Sequence, residues 1–518
     1  MNALQGQTVL VLGLGESGLA MARWCAGHGA QVRVWDSRDT PPQAAALGEA
    51  VPQATLSGGT LDEAALDGVQ RVLKSPGLAP HDERIALLLQ AARARGIVVQ
   101  GELALFTEAL ADLKAERGYA PRLLAVTGTN GKTTTTALTA LLVERAGKRV
   151  AAAGNIGPTL LDTLAAVLQS EDGLPEVWVL ELSSFQLDGI EGFEPDAAAV
   201  LNVTQDHLDW HGSMEAYAEA KAHVFGRHAM MVINRDDARV AAMVPQRPAP
   251  EVSRTSGKVG KAPKWVPRNV CSFGLDAPAW PGDFGLVEQS GMAWLVRALP
   301  LDEKPRKGEV PEIHLQQLMP ADALRIRGRH NAANALAALA LATAIGAPLA
   351  PMLHALRDYR GEAHRVEPVA IVGGVEAFDD SKGTNVGATV AALEGLGAEK
   401  APGKLVVILG GDGKGQDFSP LAAPLARYAR AAALIGRDAP ALQAALAPTL
   451  DDIGVPLRHH DTLQAATAWG FAQARPGDAL LLSPACASLD MFRNYAHRAE
   501  VFIAEVQRIA AERGEVVA

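Results

Sequence analysis

Short apolar runs recur along the chain, each closing on a glycine turn and followed by residues with helical spacing. The run from Thr8 to Leu12 meets Gly13, and apolar positions then recur at helical intervals from Leu19 to Ala26, predicting a strand, a tight turn and a helix. A second strand is predicted to end at Asp36. Further strand-like runs at Arg71 to Lys74 and Ile97 to Val99 continue an alternation of the kind that builds a parallel sheet, which places a first α/β domain at residues 1–100.

The pattern restarts at Leu123 to Gly128, passes Lys132 and its threonines, and continues as a helix. Strand-like runs at Val177 to Phe185, Ala197 to Thr204 and Met230 to Asn234 belong to the same second domain, residues 101–361. An Ala-rich helix ending at Gly346, with Pro348 just beyond, closes it. Between Pro245 and Met319 the pattern gives way to Pro, Lys and Gly, predicting exposed, mobile loops around a few short strands and no chemistry. A third alternation follows Arg365, with strands at VAIV, KLVVILGG, AAALIG and ALLLSPA, and assigns residues 362–518 to a third domain. The fold class is α/β in three domains: N-terminal Rossmann-like, central P-loop ATPase-type with a mostly parallel sheet, and C-terminal Rossmann-like.

Composition narrows the possibilities. Hydrophobic residues are 48% of the sequence and charged residues 20%, which rules out large-scale disorder. A net charge of −10 with no basic block excludes a nucleic-acid footprint, so any phosphate must be held locally. The chain enters a strand almost at once and has no apolar stretch of bilayer length, so a cytoplasmic location without membrane insertion is expected. Cys25, Cys271 and Cys486 are too scattered for a disulfide framework or zinc knuckle, in keeping with a reducing compartment.

The strongest chemical signal is Gly128, Thr129, Asn130, Gly131, Lys132, Thr133 and Thr134 between a strand and a helix. Backbone amides and the helix dipole there surround a phosphate, Lys132 supplies a charge and the Thr133 hydroxyl a Mg²⁺ ligand, although Gly128 stands closer to Gly131 than the usual P-loop spacing. Gly13, Gly15 and Gly18 with Asp36 have the layout of a dinucleotide fingerprint; NAD, another nucleotide and a purely structural turn all remain open. Glu181 ends a strand where a carboxylate could complete a Mg²⁺ shell, though most such acids are merely solvated. Asp206, His207, Asp209 and His211 concentrate site-like groups after a strand, with a structural loop as the competing reading. Lys221, by its context alone, reads as an exposed helical lysine. His330, Asn331 and Asn334 open the Ala-rich helix, where capping competes with binding a base. The loops Asp379 to Asn385, Gly410 to Gly415 and Ser483 to Ser488 follow three strands and together suggest an anion pocket, each alone passing for a solvated turn.

Taken together, GTNGKTT, GNIG, LELSSFQL, NVTQDHLDWH, the YAEAK lysine, GRHNAANALAALALA, the His364-Arg365 pair, DDSKGTNVGAT, LGGDGKGQDF and SPACASLDMFRNYAHR resemble the Mur ligase family in order and spacing over nearly the whole chain. The last three motifs, with GLGESG and the Ser75-Pro76-Gly77 turn, resemble its branch that joins D-glutamate to UDP-N-acetylmuramoyl-L-alanine for peptidoglycan. That resemblance implies an ATP-dependent ligase passing through an acyl phosphate, with Mg²⁺ at two sites, Mn²⁺ as a substitute, and a monomeric chain. It implies that Gly13, Gly15, Ser17, Gly18, Asp36, Ser37, Ser75 and Gly77 hold the UDP group, while Asn155, Ser183 and His207 face the reacting carboxylate. It implies ATP contacts from the P-loop residues, His330, Asn331, Asn334, Arg365 and Asp380. It places one Mg²⁺ on Thr133 and Glu181 and a second on His207 and Lys221, the lysine carrying a carbamate, with Lys132, Glu181, His207 and Lys221 as the catalytic set. Lys382, Thr384, Lys414, Ser488, Leu489 and Tyr495 are left to surround D-glutamate. Two features depart from the family pattern: Glu16 stands where an uncharged residue is expected, and the insertion before Met319 is long.

Three rivals are weighed against this. An NAD-dependent oxidoreductase rests on the first glycine loop and leaves the P-loop unexplained. A nucleotide switch gives no purpose to the acidic histidine loop or to the third domain's cationic loops. A sister Mur ligase adding another amino acid, or a folylpolyglutamate synthetase, conflicts with DDSKGTNVG and SPACASLDMF.

Overall fold

The computed structural model describes residues 2–246, 266–301, 311–326 and 328–515. Three sheets follow one another along the chain. The first contains β1 (Thr8–Leu12), β2 (Gln31–Trp35), β3 (Thr55–Ser57), β4 (Arg71–Lys74) and β5 (Val98–Gln100), all parallel, in the order β3-β2-β1-β4-β5. Chain direction across that sheet reverses between β1 and β4, which opens a crevice outside their carboxyl ends.

The second sheet contains β6 (Arg122–Thr127), β7 (Val150–Gly154), β8 (Val177–Glu181), β9 (Ala197–Val200), β10 (Met230–Asn234), β11 (Val270–Phe273), β12 (Phe284–Gln289), β13 (Met292–Pro300) and β14 (Ile313–Pro320). Its order is β14-β13-β12-β11-β10-β9-β6-β8-β7, parallel except for the last two pairings at the β14 edge. Side chains alternate between its faces with period two. Ala197 and Ala199 of β9 join a core with helices Lys132–Arg145 and Arg329–Ala344, whereas Ala198 and Val200 join the opposite core with helix Glu102–Arg117. The third sheet contains β15 (Glu367–Val372), β16 (Val375–Asp379), β17 (Leu405–Gly410), β18 (Ala429–Ile435), β19 (Leu457–His459) and β20 (Ala479–Leu482), ordered β15-β16-β20-β17-β18-β19, with β15–β16 its antiparallel pair. The architecture is therefore α/β with three mostly parallel sheets, as the sequence predicts.

The cores are not equally separate. One buried cluster runs from Val9, Leu19 and Leu73 of the first unit through Phe106 to Trp178 and Ile233 of the second. The clusters on the two faces of the third sheet contain only residues from Val366 onward.

Several predicted elements shift. The strand read from Val177 to Phe185 stops at Glu181, because Ser183 and Gln186 form a reciprocal capping box that starts a short helix. The strand read from Ala197 ends at Val200, four residues before Thr204. The segment read as loops around short strands supplies β12, β13 and β14, a meander that extends the central sheet. Residues 247–265 and 302–310 of that insertion, with its expected mobility, lie outside the described range.

Candidate active site

The loop after β6 turns the chain into the helix Lys132–Arg145. Gly131 adopts φ +81°, and a Cβ there would fall 2.5 Å from Asn334 Oδ1, so glycine is required both by conformation and by the helix packed against it. Asn334, 7% exposed, and the P-loop are thus in direct contact. Lys132 Nζ donates to the carbonyls of Gly128 and Thr129, each at 2.9 Å. Burial pushes its ammonium below the usual lysine range, with Glu181 opposing. Arg365 crosses from the third unit and donates to the Thr133 hydroxyl.

Glu181 closes β8 and is 1% exposed. Its Oε1 accepts from Asn155 Nδ2 at 2.8 Å, and its Oε2 has no hydrogen-bond partner among the described residues. A buried carboxylate oxygen without a donor, beside the Thr133 hydroxyl's loop, fits a divalent cation as its missing partner.

Lys221 overturns the reading of its sequence context: it is 1% exposed, and Nζ donates to the carbonyl of Gly128 at 2.9 Å. Burial, reinforced by Lys132, holds it well below the ordinary lysine range. His207 has φ +53°; its backbone N–H donates to Asp206 Oδ1 at 2.9 Å, and its ring meets the edge of Phe185 at 4.7 Å between centroids. Burial pushes His207 below the usual imidazole range; Asp206 opposes, and Lys414, Lys132 and Lys221 add to the lowering. Those cations, from the second and third units, act on the same ring.

In the first unit, Gly18 packs so close to Gly13 that a Cβ would stand 2.0 Å from its carbonyl oxygen. Ser75 Oγ donates to the Gly13 carbonyl at 2.8 Å, joining the loops after β1 and β4 at the crevice. Asp36 is 2% exposed and folds the loop itself: Leu14 N–H donates to Oδ2 at 2.6 Å, and Arg38 forks onto both oxygens. Arg38 holds the carboxyl at about 2. Ser37 lies at the rim, its hydroxyl accepting from Arg84 at 2.8 Å. Glu16 is exposed in the first turn of helix Glu16–Gly27, where the helix dipole favours an acid.

The three loops of the third unit come together. Loops Gly410–Gly415 and Ser483–Ser488 are bridged by paired backbone bonds between Asp412 and Ala487 (2.9 and 2.8 Å). Lys382 Nζ sits 3.8 Å from the Tyr495 ring centroid, and Lys414 adopts φ +50° with its N–H on Asp412. Thr384 N–H donates to the Lys382 carbonyl at 2.9 Å. Asp380, 6% exposed, accepts from Ser483 Oγ at 2.6 Å, and burial pushes its carboxyl up to about 7. Ser488 is buried, whereas Leu489 is 71% exposed at the mouth. A cleft against this loop cluster is lined by Asn130, His330, Asn331, Asn334, Arg365 and Asp380, so these expected ATP contacts share one space.

Sequence reasoning missed residues that hold the site together. Arg498, fully buried, donates to the carbonyls of Cys486 (3.1 Å) and Ser381 (2.8 Å), tying two of the third-unit loops. His364 Nδ1 lies 2.7 Å from Asp379 Oδ2 beside Arg365, and Asn385 contacts the P-loop. The motifs quoted above contain all three, but only their partners, distant in sequence, distinguish them from their neighbours.

The three sheets, the P-loop and the cations converging on it define a class, and comparison with known proteins gives it a family. Models of the Mur ligase MurD-like N-terminal domain, the Mur ligase middle domain and the Mur ligase glutamate ligase domain match residues 7–101, 126–342 and 364–486. The chain belongs to the Mur ligase family. Within it, the chain is 61% identical to a UDP-N-acetylmuramoylalanine–D-glutamate ligase of Albidiferax ferrireducens, covering 99% of this chain and 98% of that protein. It is 58% identical to the ligase of the same name from Burkholderia mallei, covering 98% of each. The fold is shared with MurF ligase from Thermotoga maritima in complex with ADP, at a TM-score of 0.56 and 16% identity over 99% of this chain and 96% of the other. It is shared too with UDP-N-acetylmuramoylalanyl-D-glutamyl-2,6-diaminopimelate–D-alanyl-D-alanyl ligase from Acinetobacter baumannii, at a TM-score of 0.53 and 15% identity over 93% and 90%.

Proposed function

We propose that this chain joins D-glutamate to UDP-N-acetylmuramoyl-L-alanine with ATP, forming an acyl phosphate and releasing ADP and phosphate in peptidoglycan precursor synthesis. The observation that carries the chemistry is the arrival of Arg365, from the third unit, on a P-loop that already holds Lys132 and Lys221. The choice of substrates follows the relatives' activity over the whole chain.

In this reading the L-alanine carboxylate attacks the γ-phosphorus, the bond to the bridging oxygen breaks, and ADP leaves. Lys132 and Arg365 offset the charge on the transferring oxygens. Asn155, Ser183 and His207 orient the carboxylate, and His330, Asn331, Asn334 and Asp380 hold the rest of ATP. The glutamate nitrogen then attacks the acyl carbon, the bond to phosphate breaks, and the nitrogen gives up its proton. Lys382, Thr384, Lys414, Ser488, Leu489 and Tyr495 hold the amino acid, and the loops after β1 and β4 hold UDP, with Asp36 serving through the loop it folds. Thr133 and Glu181 would hold one Mg²⁺, and His207 and carbamylated Lys221 a second; when bound, the ions would supply charge neutralisation on the phosphate oxygens, and Mn²⁺ would substitute. Burial, reinforced by Lys132, disfavours the charged form of Lys221 and so favours the neutral amine that carbamylation needs. No helix among the described residues is long and apolar enough to cross a membrane; the cytoplasmic location and the monomeric chain expected at the outset belong to the proposal.

Phosphate release with ATP, Mg²⁺, UDP-N-acetylmuramoyl-L-alanine and a panel of amino acids tests the reading. Release should depend on D-glutamate; equal turnover with another amino acid would overturn it.

A further inference from the structure

The start of helix Val386–Lys400 lies where three loops of the proposed reaction meet. Asn385 is its N-cap, Oδ1 accepting from Ala388 N–H at 2.9 Å. The same amide pairs with the P-loop: Nδ2 donates to Asn130 Oδ1 at 3.0 Å, and Oδ1 accepts from Asn130 Nδ2 at 3.2 Å. Nδ2 also reaches Asp206 Oδ2 at 3.3 Å, in the loop that carries His207. The next residue, Val386, donates its N–H to Gln416 Oε1 at 3.0 Å, two positions beyond Lys414. Asn385 is 4% exposed, so these bonds are shielded from water.

The helix is seated as closely as bare backbone permits. A Cβ on Gly387 would fall 2.9 Å from Thr204 Oγ1 and 3.2 Å from Asn130 Nδ2. Capping alone does not explain the asparagine, because serine or aspartate caps a helix as well. Only an amide can cap, accept from Asn130 and donate to both Asn130 and Asp206, and an aspartate would set a second carboxylate against Asp206.

We propose that Asn385 is a positioning residue that couples the P-loop to the amino-acid site. Through its paired amide, ordering of the loop around ATP and seating of the Lys414 loop become one event. The inference rests on the ligase reading above and adds to it the residue that links its two halves.

Asn385→Ser in the full chain separates capping from coupling, since it keeps the cap and loses the amide pair. Expected are a rise in KM for D-glutamate of roughly tenfold, the size of one or two lost shielded hydrogen bonds, and a Kd for MgATP alone within about twofold of wild type. Combined with Asn130→Ala, the double variant should be no worse than the poorer single one, because both remove the same pair. Wild-type KM for D-glutamate in Asn385→Ser, or strictly additive losses, would overturn the coupling while leaving the ligase reading intact. A wild-type chain without D-glutamate-dependent phosphate release would instead overturn the ligase reading and the coupling with it.

Discussion

Two lysine side chains share one carbonyl oxygen in this protein: Lys132 and Lys221 each donate to Gly128 O at 2.9 Å. Two buried lysine nitrogens side by side cost stability, whichever form they take, and such a cost belongs at a site where an anion or a modification relieves it. Lys221→Met should therefore melt at the wild-type temperature or above, while turnover falls by about a hundredfold or more. Differential scanning fluorimetry beside phosphate release checks both halves, and a large loss of melting temperature would show that Lys221 serves the fold. His330 gives a second residue-scale prediction. Burial pushes its ring down to about 4, so between that value and the ordinary imidazole range the unfolded chain binds a proton that the folded one refuses. Stability is then complete above the unfolded value and lost as pH falls, by up to about 2 kcal/mol at pH 5. His330→Phe should flatten the melting temperature between pH 7 and 5; an unchanged slope would remove His330 as the cause.

At the scale of elements, Arg498 shows how a side chain sets a site that it does not itself line. Projecting from helix Tyr495–Glu512, its planar fork spans the carbonyls of Cys486 and Ser381, one in each of two loops. A lysine keeps the charge but not the fork, so Arg498→Lys should raise KM for D-glutamate by about tenfold and lower the melting temperature. Unchanged kinetics in a folded Arg498→Lys would mean that the loops hold each other unaided. Elements of this kind divide what the chain spells out from what it conceals. β1, β6, β10 and β17 are buried over most of their length, so they appear as nearly continuous apolar runs, and the P-loop is legible because Gly131 admits no other residue. β7, with its Val-Ala-Ala-Ala-Gly sequence, is too short and small-residued to announce itself, and β14 presents four successive exposed positions at a sheet edge. Arg365 on Thr133 and Asn385 on Asn130 join residues 232 and 255 positions apart. Motifs placed those residues near a site, but no local pattern states which loop each will touch.

For the whole molecule, the division of the buried cores decides what can fold alone and what can move. The first and second units share one cluster, in which Phe106 meets Trp178 edge-on at 5.0 Å between centroids and Leu19 and Leu73 lie in the same core as Ile233. The third unit encloses its own clusters on both faces of its sheet. Separating the first two units would bare a large apolar face, whereas the third shares no buried apolar cluster with them and meets them along a cleft that holds Asn130, Arg365 and Asp380. Residues 362–518, produced alone, should therefore unfold cooperatively, while residues 101–361 alone should aggregate or lose fixed tertiary packing, as read by near-ultraviolet circular dichroism. Limited proteolysis of the whole chain should likewise cut first between Tyr359 and Arg365, and MgATP should slow that cut because Arg365 is drawn onto the P-loop. A fragment 101–361 that melts cooperatively at the full-length temperature would show that the shared cluster is two cores in contact and that the first junction, too, can part without loss of fold.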